Sequence, residues 1–279
     1  MMRDGVSVIV CCYNSSWIIK RCLEALILQK VDDRLKWEII VVNNASTDNT
    51  KQIAVEILKD SGVAHQIVEE FEPGLLNARK KGISIAHYKY TIYCDDDNLL
   101  YNSYIQNAYE IINGQPDLGA IGGKGIAEFQ SVPDPLVLKN IHSYAVGNQH
   151  KHASEYVWGA GCCLRTDIVK AIYSKQKMHL SGRKGKDLLA GDDAELVMSI
   201  RLNGYKSACD DCLEYTHVLP DNRLTLSYLT KMYQGFAMAW PIVSVYRIVL
   251  RRLPFIFVYI YYCKCLCKLS IVQSVCDSV

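Results

Sequence analysis

The sequence predicts an α/β protein: a mostly parallel central sheet flanked by helices, followed by a helical C-terminal appendage. Three observations carry this expectation. From Val6 to Cys94, continuous apolar runs alternate with runs of helical periodicity, the pattern of a parallel sheet covered on both faces. Polar clusters close the apolar runs, and in such sheets ligands bind at the carboxyl ends of the strands. Half of the 279 residues are hydrophobic and 22% are charged, enough for a sizeable core and too apolar for global disorder.

Val6 to Cys12 reads as the first buried strand, and Asn14-Ser15-Ser16 offers capping chemistry for a helix carrying Ile18, Ile19, Cys22, Leu23, Leu26 and Ile27 at helical spacing. Glu38 to Val42 is a second strand, closed by Asn43-Asn44. Ser46-Thr47-Asp48 can cap the next helix, which shows Ile53, Ala54, Ile57 and Leu58. His65 to Val68 reads as a third strand, Leu75 to Ala86 as a third helix, and Tyr90 to Cys94 as a fourth strand. After Gly114 the alternation weakens. Leu118 to Gly122 reads as a strand and Pro133 to Tyr144 as a short helical excursion. The small-residue run Trp158-Gly159-Ala160-Gly161 leads into Cys162 to Arg165, and Gly182 to Gly185 reads as an exposed mobile loop. A helix opens at Gly191-Asp192-Asp193-Ala194-Glu195-Leu196 and ends near Gly204, a C′ glycine. From Leu224 an amphipathic helix is expected, interrupted by Pro241.

Several function classes are disfavoured. A net charge of +2 is too small for a general nucleic-acid binder. No G-x-G-x-x-G follows the first strand and no P-loop motif occurs, which argues against a dinucleotide dehydrogenase or a P-loop ATPase. The 12 cysteines are irregularly spaced, and several lie in apolar runs where a thiol acts as a small core residue. The lone C-x-x-C of Cys209 and Cys212 lacks a second pair for zinc. Free thiols suggest a reducing compartment, hence cytosol, and Met1 to Gly5 lacks a signal peptide's apolar core.

The chemistry concentrates in two acidic clusters. Asp95-Asp96-Asp97 follows the fourth strand. Crowded carboxylates there suit a hard divalent cation such as Mg²⁺ or Mn²⁺ bridging substrate phosphates, although a solvated turn with an N-cap for a following helix explains the same residues. Asp192, Asp193 and Glu195 begin a helix, where one acid is accounted for by the macrodipole and three are not. An aspartate at a helix start keeps a low pKa, as a base ionised at working pH requires. His217 is by itself as compatible with a structural role as with ligation.

Taken together, these segments resemble the inverting family 2 glycosyltransferases of the GT-A nucleotide-sugar-binding fold. Ser7 to Asn14 is similar to the family's opening strand and Val41 to Asp48 to its second. Gly74-Leu75-Leu76-Asn77-Ala78-Arg79 resembles the G-x-x-x-A-R segment. Asp95 to Asp97 stands at the D-x-D position, and Gly191 to Leu196 at the G-E-D-x-E-L segment. The resemblance implies that Cys12, Tyr13, Asn14, Asn44 and Arg79, with Asp95 and Asp96, hold the nucleotide-sugar. Asp97, with Asp95 and His217, would bind Mn²⁺ or Mg²⁺ at the diphosphate. Asp193 would act as the base beside Asp192, and Trp158, Gly159, Ala160 and Gly161 would shape the acceptor pocket. Asn43-Asn44 replaces a frequent Asp pair, which leaves open a UDP-, dTDP- or GDP-linked donor. Cys11 replaces a frequent proline.

The expected division places a catalytic domain at 1–222, with a nucleotide half at 1–115 and an acceptor half at 116–222. A helical, membrane-associated region would span 223–279. Leu253 to Cys263 is uncharged and aromatic, with Lys264 and Lys268 beyond it. A spanning helix needs about 20 apolar residues, so this stretch fits an interfacial or re-entrant helix at a cytoplasmic membrane face better. The expected activity is therefore transfer of a sugar to a saccharide or lipid-linked acceptor at the inner membrane surface. Competing readings are a nucleotidyltransferase, which lacks its phosphate loop here, and a binding module with a degenerate sugar-nucleotide site.

Overall fold

The computed structural model describes residues 2–184 and 188–251. The uncharged stretch from Leu253, its flanking lysines and Cys263, Cys265 and Cys267 lie outside the described residues, as does part of the Gly182–Gly185 loop.

The first seven elements form in the expected order: β1 (Arg3–Cys12), α1 (Ile19–Ile27), β2 (Trp37–Asn44), α2 (Thr50–Leu58), β3 (His65–Glu70), α3 (Leu75–Ile85) and β4 (Tyr88–Asp95). Then come β5 (Asn98–Leu100), α4 (Tyr104–Gly114), β6 (Leu118–Phe129), α5 (Pro135–Lys139), β7 (Cys163–Arg165), α6 (Thr166–Lys175), α7 (Asp192–Leu202), β8 (Lys206–Leu219) and α8 (Leu226–Leu250). All eight strands join one sheet in the order β3-β2-β1-β4-β7-β6-β8-β5. Pairs β1–β2, β1–β4, β2–β3 and β6–β8 are parallel, whereas β4–β7, β6–β7 and β5–β8 are antiparallel. The parallel expectation thus holds for the first half, and the second half is mixed.

Successive residues of a strand face opposite sides of a sheet, and the core follows that rule. Val8, Val10, Ile39 and Val41 pack on one side with Ile19, Leu23, Leu26 and Tyr104. Ile9, Ile40 and Val42 pack on the other with Leu76, Ile83, Val169, Leu196 and Ile200. Strands sandwiched between helices in this way bury both faces, which is why their sequences show no alternation. Gly82 lets α3 approach closely, since a Cβ there would lie 2.5 Å from Ile9 Cγ2.

Three local expectations are corrected, and one strand was not foreseen. Ser15 does not cap α1 with its side chain; its hydroxyl donates to Asp96 Oδ2, and its carbonyl accepts from the Ile18 and Ile19 amides. Asn98 does not cap a helix, because it begins β5 opposite His217. Lys206–Leu219 forms a strand that its mixed polarity concealed. Its pairing with β6 slips between Gly122↔Cys209 and Lys124↔Glu214, so the Cys209–Cys212 segment sits in that irregularity. Pro241 does not interrupt the last helix; α8 runs through it. Proline there forfeits the bond to the Ala237 carbonyl, and Ala237 lines an open cavity rather than a packed interface. No helix among the described residues is long and apolar enough to cross a membrane.

Candidate active site

The carboxyl ends of β1, β2 and β4 open into a cavity of about 830 Å³, whose far wall is α8. Both acidic clusters face it: Asp95, Asp96 and Asp97 from the end of β4, Asp192 and Asp193 from the start of α7. Residues separated by nearly a hundred positions meet because β7 lies against β4 and α7 packs behind it.

Asp97 is 3% exposed and stands among cationic and donor groups. Arg223 Nη1 donates to Oδ2 at 2.7 Å, Asn98 Nδ2 donates to Oδ1 at 3.1 Å, and His217 Nε2 lies 3.5 Å from Oδ1. Burial alone would raise the Asp97 carboxyl, but Arg223 and then His217 outweigh it and hold it well below the usual aspartate range. Asp96 goes the other way: burial, followed by the Asp97 charge, pushes it up to about 7 despite its bond from Ser15. His217 is oriented by its Nδ1, 2.7 Å from the Tyr144 carbonyl. That contact makes Nδ1 the donor and turns the Nε2 lone pair of the neutral ring toward a carboxylate oxygen. Two acceptors facing each other call for a proton or a cation between them.

In the second cluster, Arg79 is 4% exposed and bonds Asp192 Oδ2 at 2.6 Å, with its other nitrogen 3.6 Å from Asp95. Its guanidinium lies 5.0 Å above the Tyr93 ring. Burial works against the Arg79 charge, but Asp192 and Asp95 outweigh it and raise its pKa. Asp192 is raised as well: burial and the Asp193 charge overcome the attraction of Arg79. Asp193 accepts from the Gly159 amide at 2.9 Å through Oδ2 and from its neighbour Ala194 at 2.8 Å through Oδ1. Gly191, at φ +88°, turns the chain sharply into α7. Glu195 faces away from the cavity. It accepts from the His179 and Leu180 amides and from the Tyr246 hydroxyl, bracing α7 against α8.

The remaining expected site residues divide into those on the cavity and those that build it. Cys12, Tyr13 and Asn44 line the cavity. The Asn44 amide is already engaged, giving Nδ2 hydrogens to the Glu70 and Glu72 carbonyls and accepting from the Gly74 amide. Asn14 is not on the wall. At φ +52° it clamps two loops together, its Oδ1 accepting from the Thr47 amide. Trp158, Gly159 and Ala160 line the cavity, whereas Gly161 lies behind it at φ +69°, its carbonyl accepting from the Tyr104 hydroxyl at 2.7 Å. A Cβ on Gly159 would fall 2.5 Å from Arg79 Nη2, so glycine keeps the loop and the arginine in contact.

The strand ends from β1 to β4 and the first acidic cluster fall within a single family match. The model of glycosyl transferase family 2 matches residues 7–170, more than half of the chain. The chain belongs to glycosyl transferase family 2. Among curated members, a poly-β-1,6-N-acetyl-D-glucosamine synthase of Staphylococcus epidermidis is 29% identical over 120 residues, 43% of this chain and 28% of that protein. Glycosyltransferase GlyA of Streptococcus pneumoniae is 31% identical over 125 residues, 44% of this chain and 17% of that protein. This family 2 chain thus spans well under half the length of the curated relatives it matches. Among solved structures, Staphylococcus aureus TarS 1-349 in complex with UDP-GlcNAc superposes with a TM-score of 0.60 at 19% identity, over 88% of this chain and 66% of that one. Mannosyltransferase PcManGT from Pyrobaculum calidifontis, in complex with GDP-Man and Mn²⁺, gives 0.60 at 18% identity, over 99% and 79%. At these identities the structural likeness establishes a shared fold.

Several cavity residues of this family 2 chain escaped sequence reasoning. Tyr144 and Arg223 position the acidic cluster, with Ser15 bonding Asp96 from behind the wall, and Met232, Tyr233, Phe236, Trp240 and Arg247 of α8 form the far wall. Only Arg223 had a signal, a cation soon after His217. His142, His152 and Trp158 form an aromatic cluster, with ring centroids 4.7 Å apart for His142–Trp158 and 5.4 Å for His152–Trp158. Among the described residues no three His, Cys, Asp or Glu side chains converge as a ready-made metal cage. All eight described cysteines are free thiols.

Proposed function

We propose that the chain transfers a sugar, with inversion, from a nucleotide-diphosphate donor to a hydroxyl of a saccharide or lipid-linked acceptor in glycan or polysaccharide synthesis. The observation that carries this reading is the single cavity shared by the two acidic clusters, one held by cations and the other by backbone amides. Family membership supports transfer rather than mere binding, and the UDP-GlcNAc complex of TarS favours a UDP-linked donor over dTDP- or GDP-linked ones.

In this reading Cys12, Tyr13 and Asn44 border the nucleotide, and Asp95 and Asp96 lie beside the sugar diphosphate. Because the Asn44 amide is engaged, base recognition falls to the Asn44 backbone and to Tyr13. Asp193 accepts the proton of the acceptor hydroxyl. That oxygen then attacks the anomeric carbon as the bond to the diphosphate oxygen breaks, and the diphosphate leaves with the electron pair. The Gly159 amide aims Asp193, while Arg79 holds Asp192 and keeps the start of α7 in place. Trp158 and Ala160 border the acceptor beneath the apolar face of α8. Residues 1–115 would thus carry the donor and 116–222 the acceptor, with the helical region from 223 completing the site and meeting a cytoplasmic membrane face.

A divalent ion fits the residues at hand. His217 gives Nδ1 to a backbone carbonyl, as metal-ligating histidines usually do, and its Nε2 faces Asp97. Asp97 and His217, with Asp95 nearby, would hold Mn²⁺ or Mg²⁺, and the Mn²⁺ complex of PcManGT supports the choice. When bound, the ion supplies charge neutralisation at the leaving diphosphate.

The test is a panel of UDP-, dTDP- and GDP-sugars, with and without Mn²⁺, read by thermal stabilisation and by nucleotide release. The expected result is stabilisation by one UDP-sugar, enhanced by Mn²⁺, because a ligand that binds only the folded state raises Tm. A protein stabilised by none of them has lost this reading.

A further inference from the structure

Near the C-terminal end of α8 lies a second cavity, of about 260 Å³, lined by Ser154, Glu155, Arg201, Arg247, Leu250 and Arg251. Its chemistry is unbalanced: three guanidiniums meet one acidic residue, two at its carboxylate and one at its backbone carbonyl. Arg247 Nε donates to Glu155 Oε2 at 3.0 Å, Arg251 Nη2 donates to Oε1, and Arg201 Nη1 reaches the Glu155 carbonyl at 3.3 Å. Each guanidinium carries five N–H donors, so these contacts engage only part of the donor set. Burial first, and repulsion from Arg251, lower the Arg201 pKa against the attraction of Glu155.

We propose that this cavity is a phosphate-binding site, in which Arg201, Arg247 and Arg251 grip a phosphate or diphosphate ester. Guanidinium forks match the oxygens of a phosphate in pairs, and arginine is the usual residue where such bidentate recognition matters. A tetrahedral anion can meet three forks at once, which the planar Glu155 carboxylate cannot.

The position of the site gives it a use. Arg247 lines both this cavity and the large one, and its guanidinium lies 4.8 Å from the Trp240 ring and 6.0 Å from that of Tyr156. A ligand can therefore place its hydroxyl-bearing sugar near Asp193 and its phosphate among the arginines. Its apolar part can then lie along the α8 face of Phe236, Trp240 and Val243. Assigning the phosphate to the acceptor rests on the sugar-transfer reading; the anion site itself does not.

The test titrates inorganic pyrophosphate, and separately farnesyl diphosphate, into protein saturated with UDP and Mn²⁺, so that the donor site is blocked. Calorimetry on wild type should show binding that weakens about tenfold or more in R201Q and in R251Q, given the strength of charge-assisted bonds. UDP affinity should be unchanged in both variants. E155Q removes the carboxylate charge that engages Arg247 and Arg251 and should bind pyrophosphate more tightly, a gain that a misfolded variant could not produce. Farnesyl diphosphate binding more tightly than pyrophosphate assigns a lipid-borne phosphate; equal affinity assigns a soluble one. No binding by wild type, or equal binding by R201Q and R251Q, overturns the site. Absence of UDP binding in all four proteins would instead count against the donor reading, while weaker pyrophosphate binding in R201Q and R251Q than in wild type would still mark the arginine site.

Discussion

The two acidic clusters are built alike and tuned apart. Each contains a buried aspartate paired with an arginine from a distant element, Asp97 with the half-buried Arg223 and Asp192 with the buried Arg79. Yet the Asp97 carboxyl is held down and that of Asp192 is pushed up. The difference lies in the company each pair keeps. Asp97 has Arg223 on one side and the His217 ring on the other. Asp192 shares its single arginine with Asp95 and sits next to the like-charged Asp193. An ion pair alone does not set the protonation state of a buried acid; the count of charges around it does. Asp97 is thereby kept anionic, as the proposed cation site requires. In the second cluster, Arg79 and Asp192 form a buried anchor beside Asp193, the proposed base, which accepts from the Gly159 and Ala194 amides.

The sharpest way to break this comparison is Asp193→Asn. Loss of a positioned base costs about 10²- to 10⁴-fold in rate, so sugar transfer should fall by that much while calorimetric UDP affinity stays the same. Retained turnover would remove Asp193 as the base. Next come the arginines. Arg79→Met and Arg223→Met each leave a buried carboxylate uncompensated, an effect of about 3–5 kcal/mol where one partner of a buried pair is removed. Urea unfolding should show losses of that order for both, with Arg79→Met the larger because two acids depend on it. His217→Asn should weaken Mn²⁺-dependent UDP binding by about 10- to 100-fold, as measured for metal ligands' supporting interactions, with little change in metal-free UDP binding.

The smallest effect is the most diagnostic. A depressed folded-state pKa adds stability above the ordinary aspartate value that is lost as pH falls through the lowered one; a raised pKa does the reverse. Unfolding of Asp97→Asn and Asp192→Asn, followed from about pH 3 to pH 6 around the ordinary aspartate pKa of about 3.9, should therefore diverge. Relative to wild type, Asp97→Asn should lose ground as pH rises at the acid end of that range. Asp192→Asn should gain ground as pH rises at its upper end. Parallel curves would show that the two clusters are tuned alike after all.

Legibility in the sequence followed the same division between the two halves of the sheet. From β1 to β4, strands covered on both faces leave continuous apolar runs, and the helices between them leave 3.6-residue periodicity, so elements and polar strand ends could both be read. Beyond Gly114 the signals fade for physical reasons. β8 is partly exposed and slips against β6, so Lys206 to Glu214 looks like a loop. β5 and β7 span only Asn98–Leu100 and Cys163–Arg165, too short for any period to register. The carboxylates could be found because like charges in a run are costly without a purpose. Their partnerships could not: Arg79 was legible only as part of the G-x-x-x-A-R resemblance, and its pairing with Asp192, like that of Arg223 with Asp97 and of Tyr144 with His217, is made across the fold. Asn14 and Gly161 looked like ligand contacts because loop-building residues and binding residues share one vocabulary of small and amide side chains. The α8 wall was hidden by Pro241, which reads as a break yet costs a single backbone bond beside an open cavity.

The place of α8 in the chain has a temporal consequence. The cavity is bounded at one end by Cys11 and at the other by Arg247, so the ribosome makes the donor edge long before the wall that closes the acceptor side. Until Arg223 has emerged, Asp97 lacks its counter-charge; until α8 has docked, Asp193 stands in open water. A nascent chain thus carries both acidic clusters before the cavity they share is closed, and that closure comes only with the last of its described helices.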